Sequence, residues 1–257
     1  MFEFLILPIF VVILLLLLAV PIIFIYLFLR LTETAFEMVG FSHWNASLAV
    51  FGSLLGSLID IPIGVVPFSA YPNWYVFLYG IFGQHFPSVF HPVYLAINVG
   101  GCIIPLAISF HLLSNGRAAP EKALMGILLV AAVTYIAAEA VPGEGIVLPF
   151  WISPLSAAIC GLALARGLIG APPLAYISGT IGTLIGADIL SLLTPGVLPA
   201  LSPLRLHRSE PLVLSIGGAG VFDGIFLTGI IAVLLSAGIV YLLQGGFDSE
   251  NAGSTHD

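Results

Sequence analysis

Residues 174–193 read LAYISGTIGTLIGADILSLL. About 20 predominantly apolar residues are what a helix needs to cross hydrocarbon, and this run carries a single formal charge, Asp188. A carboxylate deep in a spanning helix costs roughly 2.5 to 3.5 kcal/mol on insertion scales, so Asp188 is read as a functional candidate. Working outward, a second acid stands in a comparable setting, Asp223 in GGAGVFDGIFLTG over residues 217–229.

Composition places both runs in one class. The chain is 60% hydrophobic and 7% charged, with a mean hydropathy of +1.16, values of a polypeptide dissolved in lipid. The reading is an all-α, polytopic transmembrane helix bundle forming a single integral membrane domain over residues 1–243. About seven spanning helices are expected, near residues 4–29, 44–61, 93–113, 123–140, 151–165, 174–193 and 212–243. The first is too long for a cleaved leader and lacks a basic flank before it, so it is read as a retained helix. Residues 62–92 hold five prolines among Tyr71, Trp74, Tyr75, Phe77 and Tyr79 and read as an aromatic interfacial loop. Residues 244–257, with Asp248, Glu250 and Asp257 facing no basic residue, read as an acidic flexible tail. The net charge of -7 does not suggest a nucleic-acid partner, and the bilayer itself is the expected one. With seven crossings, Arg30, Arg117, Lys122 and Arg166 fall on one face against Arg205 and Arg208 on the other. That count favours an outside N-terminus in a multi-pass protein of the cytoplasmic membrane.

Small residues set the expected packing, because close backbone approach at glycine drives helix association in lipid. Gly52 and Gly56, Gly182 and Gly186, and Gly220 and Gly224 each lie four apart. At 100° per residue, Gly179, Gly182 and Gly186 form a stripe roughly opposite Asp188, so that stripe is expected to pack against a helix other than the one Asp188 faces. Gly217, Gly220 and Gly224 flank Asp223 on the last helix. Counting inward at 1.5 Å per residue puts Asp188 about 8 Å and Asp223 about 16 Å deep, a gap that an unwound, glycine-rich start of the last helix would close.

Two carboxyls brought together in a low-dielectric site do not both ionise readily; one keeps its proton while the other is charged. Such a pair can activate water for attack on a peptide carbonyl without a metal, a cofactor or a nucleophilic side chain. No metal or cofactor site is read elsewhere: His85 and His91 lack a helical metal spacing, and Cys102 and Cys160 lie in apolar runs as packing residues. Asp60 reads as an interfacial acid, Glu139 and Glu144 as a solvated turn, and Asn45 as a helix cap.

The runs Ala175-Tyr176-Ile177-Ser178-Gly179-Thr180, Gly186-Ala187-Asp188, Ser215 to Gly220 and Asp223 to Gly229, with Asn98-Val99-Gly100-Gly101 and Ile104-Pro105, resemble a prokaryotic membrane family catalogued as domain of unknown function 1614. That likeness implies no activity. Gly220-Val221-Phe222-Asp223, followed by Ile225, Phe226 and Gly229, is also distantly similar to the Gly-x-Gly-Asp helix of presenilins and signal peptide peptidases. This second resemblance implies an intramembrane aspartic protease with Asp188 and Asp223 as the catalytic pair and a transmembrane peptide as substrate. Gly186, Gly220, Gly224, Tyr176 and Asn98 would then serve substrate or helix packing near the site. The chain departs from those proteases at Phe222, where they carry glycine, and at Ala187, where they often carry tyrosine. Their Pro-Ala-Leu motif follows both aspartates, whereas Pro199-Ala200-Leu201 lies between them here.

Two other readings compete. An ion- or proton-coupled transporter or channel would use the intramembrane acids for coupling, with Asn98, Asp60, Glu139, His111, Tyr176, Ser178, Thr180 and Thr183 along its path. A non-catalytic assembly protein would use them as interhelical hydrogen-bond donors and acceptors.

Overall fold

A computed structural model describes residues 3–69, 90–141, 145–165, 168–194, 197, 201, 212–218 and 224–253. Among the described residues the main helices are α1 Glu3–Met38, α2 His43–Gly56, α3 Val99–Ser114, α4 Pro120–Ala137, α5 Ile152–Leu164, α6 Ala171–Leu193 and α7 Gly224–Gly253. Strands β1 Asp60–Ser69, β2 Phe90–Asn98 and β5 Leu212–Ile216 form one sheet in the order β1-β2-β5, and β3 Glu139–Val141 pairs with β4 Gly145–Val147 in a separate hairpin.

Among the described residues, four helical stretches are long and apolar enough to cross a membrane: Leu14–Met38, Pro120–Ala137, Ala171–Leu193 and Gly224–Leu243. The expected seven crossings are not reached by that measure, for a geometric reason. Helix α2 has 14 residues and α5 has 13. At 1.5 Å per residue these fall well short of about 30 Å of hydrocarbon.

The all-α expectation is corrected by the sheet. Residues 60–61, 93–98 and 212–216, read as parts of helices, are strands, and the segment read as a loop over 62–92 begins and ends in strand. A short apolar run has no period that separates a buried strand from a helix, and these runs carry Val and Ile, which favour the pleated surface. The prolines fit because β1 is an edge strand and Pro92 of β2 lies just before Val93, where pairing with β5 starts. The β1-β2 pair is antiparallel with an irregularity between Pro62 and Gly64, while β2-β5 is parallel. Helix α7 continues to Gly253, into the segment read as an acidic tail.

Helix α6 is the centre of the bundle, with every residue from Ala171 to Thr180 buried. Its glycines explain the packing. A Cβ on Gly182 would meet the Val130 side chain of α4 at 2.7 Å, and one on Gly186 would strike Thr134 and the Ala131 backbone of the same helix. Gly179 instead faces Ala157 of α5 and Thr228 of α7, so two members of the predicted stripe lie on α4 and the third does not. Gly229 of α7 approaches Tyr176 and Thr180, and the hydroxyls of Ser109 and Thr180 meet at 3.1 Å between α3 and α6. Close contact at small residues and hydroxyl pairs is how helices associate when lipid supplies no hydrophobic contrast.

Helix α1 is exposed over most of its apolar length and joins the bundle at its end, where Thr32, Ala35 and Phe36 are buried. The Phe36 ring lies 5.8 Å from that of Tyr176 and 6.3 Å from that of Phe226. Gly40, at φ 101°, ends the helix in a left-handed turn that L side chains rarely adopt. Ser42 then caps α2, its side chain accepting the Asn45 amide at 3.4 Å, which corrects the reading of Asn45 as the cap. Ser42→Ala is expected to cost about 1 kcal/mol and Asn45→Ala distinctly less, measured by thermal unfolding in detergent.

Candidate functional site at Asp188

The α6 helix widens to π geometry over Leu184–Leu190, and Asp188 sits inside that segment. Such one-turn widenings re-aim side chains and are frequent at functional sites. The partly buried carboxylate accepts the Gly217 amide on Oδ2 at 2.6 Å. Gly217 follows the last paired residue of β5, Ile216, and adopts φ 76°. A Cβ there would also lie 2.8 Å from Cys102 and the Gly101 backbone, so both conformation and space require glycine.

Two cavities flank Asp188. One, of about 190 Å³, is walled by Ser153, Thr183, Gly217, Gly224, Ile225 and Thr228 among others. The second, of about 530 Å³, lies toward β4 and β5 and includes Ile146, Leu148, Leu192, Val213 and Ser215. The hydroxyls of Ser153 and Thr183 hydrogen-bond to each other in the first cavity's wall and are buried. The β3-β4 hairpin contributes Ile146 to both cavities, so Asp188 is bordered by α5, α6, β4, the β5 turn and the start of α7.

The other residues singled out in the sequence separate by location. Gly224 opens α7 and lines the first cavity with Asp188. Asp223 and Gly220 lie outside the described residues. Gly186 faces α4 rather than the cavity, and Tyr176 belongs to the aromatic core beside Phe36. Asn98 is a buried junction: its Nδ2 donates to the Ser57 carbonyl at 2.9 Å and to Asp60 Oδ1 at 3.0 Å, and its Oδ1 accepts the Gly101 amide at 2.9 Å. It thereby caps α3 and ties that helix to α2 and β1. Of the residues proposed to line a transport path, Thr183 borders the cavity with Asp188. Glu139 lies in β3, and His111 is exposed, hydrogen-bonded to Asn115 at 2.8 Å. Cys102 and Cys160 are both buried and not bridged. No three His, Cys, Asp or Glu side chains gather as a metal cluster among the described residues.

Sequence reading missed three contributors. The Gly217 amide is a backbone donor with no side-chain signature, Ser153 lies on a different helix, and Thr228 is one hydroxyl among many in apolar helices. Residues 212–218, counted into the last helix from the sequence, are strand and turn and reach Asp188, while residues 219–223 lie outside the described residues. Gly217, placed on the last helix from the sequence, belongs to that turn.

Fold and site define a membrane protein whose central helix carries an acid facing cavities beside a small sheet. The chain belongs to the family described as protein of unknown function DUF1614, whose model matches residues 54–235. No curated protein and no solved structure matches it. The comparisons do not support the expected likeness to presenilins and signal peptide peptidases.

Proposed function

We propose that this chain is an intramembrane aspartic peptidase of the cytoplasmic membrane, with Asp188 and Asp223 as its catalytic pair and a transmembrane peptide as substrate. The observation that carries the reading is the position of Gly224: it lines the cavity that Asp188 faces, and Asp223 is its neighbour in the chain. Water would bond through oxygen to the scissile carbonyl carbon as its proton passes to the ionised carboxylate. The protonated carboxyl would donate to the carbonyl oxygen. Collapse of the tetrahedral adduct would then break the C–N bond, with the amine leaving as it takes a proton from the acid formed in the first step. Oxygen acceptors and donors on both sides of the scissile group fit a cavity that combines a carboxylate with three hydroxyls.

The test uses purified protein in liposomes with a panel of single-span peptides. The reading predicts cleavage products by mass spectrometry that vanish in Asp188→Asn and in Asp223→Asn; intact peptides with wild-type protein contradict it. A second reading, ion- or proton-coupled transport, is favoured by the hydroxyls of Ser153, Thr183 and Thr228 around the same acid. Solute or cation flux across the same liposomes, lost in Asp188→Asn without any cleavage, would select it.

A further inference from the structure

We propose that Asp60, remote in sequence from Asp188, is a positioning residue for it, acting through Ser215 and the β5 turn. Asp60 opens β1, and its Oδ1 accepts two hydrogen bonds, from Asn98 Nδ2 and from the hydroxyl of Ser215. The first fixes Asp60 to the buried Asn98 junction, which is itself bonded to Ser57 and Gly101. The second grips β5 two residues before Gly217. The ladder between β2 and β5 ends at Ile216, so Gly217 is held beyond the last paired residue. Its turn is closed by the Gly218 amide donating to the Ser215 carbonyl at 3.1 Å. Ser215 is therefore gripped from both sides: its hydroxyl binds Asp60 and its carbonyl closes the turn that presents the Gly217 amide to Asp188. A Cβ on Gly218 would meet Ser215 Oγ at 2.7 Å, so glycine there keeps the hydroxyl free to reach Asp60. Two carboxylates from separate elements thus clamp the end of β5 and its turn, Asp60 at Ser215 and Asp188 at Gly217. The clamp requires only that Asp188 is the acid of this site; it does not depend on peptide hydrolysis.

The readout is hydrogen exchange at the Gly217 amide, seen in protein labelled with ¹³C′-isoleucine and ¹⁵N-glycine so that Ile–Gly amides are selected. Asp188→Ala removes the acceptor and sets the exchange rate for complete loss of the contact. Ser215→Ala and Asp60→Ala are each expected to speed exchange at Gly217 about tenfold, the effect of losing one hydrogen bond of typical net strength. The Ile–Gly amides of α6, at Gly182 and Gly186, keep their wild-type rates. Because both substitutions break one linkage, the double variant should exchange no faster than either single one. Asp60→Asn keeps an acceptor oxygen and serves if Asp60→Ala does not accumulate; it is expected to give a smaller increase. An unchanged Gly217 rate in Ser215→Ala, equal acceleration at all Ile–Gly amides, or additive effects in the double variant would each overturn the clamp. Failure to cleave peptides with the exchange pattern intact would overturn the peptidase reading alone.

Discussion

Asp188→Asn is expected to lower peptide cleavage by about 10²- to 10⁴-fold or more, the range contributed by one positioned acid or base, with the protein still folded. Asparagine keeps the carboxylate's shape and leaves an oxygen that can accept the Gly217 amide, so the 2.6 Å contact has an acceptor in the variant. What is lost is the ability to exchange a proton with water or with the scissile oxygen. A stability role for Asp188 predicts the opposite pattern: Asp188→Asn would be benign, and Asp188→Ala would lose both the contact and thermal stability. Cleavage rates in liposomes, read beside melting in detergent for the two variants, separate these outcomes. Asp223→Asn should reproduce the loss, and the double variant should be no worse than either single one, because paired groups fail as a unit.

Gly186→Ala is expected to destabilise the bundle by about 1 to 3 kcal/mol, the usual cost of forcing extra volume into a packed interface. The added methyl would strike Thr134 and the backbone of Ala131, and backbone cannot rotate aside. Helix α6 would have to move away from α4 two residues before Asp188, so the cavity should change with the stability. Gly224→Ala provides the contrast, since nothing among the described residues lies within 4 Å of the position a Cβ would take there. Thermal unfolding in detergent should show a drop of several degrees for Gly186→Ala and little change for Gly224→Ala. Equal melting of Gly186→Ala and the wild type would contradict the α4-α6 packing.

How much of this was legible in the sequence depends on whether the signal is local. The long apolar helices were, because hydropathy over about 20 residues needs no knowledge of the fold. The placement of Gly182 and Gly186 away from the face of Asp188 was also legible, since helical geometry fixes relative direction at 100° per residue. The partner helix, α4, was not, because glycine marks a close approach without naming the approaching surface. The sheet was hidden inside apolar runs at 93–98 and 212–216, whose strand state is decided by mutual pairing between residues more than a hundred positions apart. From that pairing follows the missed half of the site: only when β5 lies beside β2 does Gly217 present its amide to Asp188. Asp60 was recognised as an acid near a helix end, but its bond to Ser215 depends on the same long-range pairing.

The most direct test of the catalytic pair is disulfide crosslinking in native membranes, with Asp188→Cys and Asp223→Cys combined in a protein lacking Cys102 and Cys160. A dyad predicts rapid, efficient bond formation at this pair, since a disulfide demands Cα atoms about 4.4 to 6.8 Å apart. No crosslink here or at the adjoining positions, in protein that melts like the parent, would separate the two acids and contradict the peptidase account.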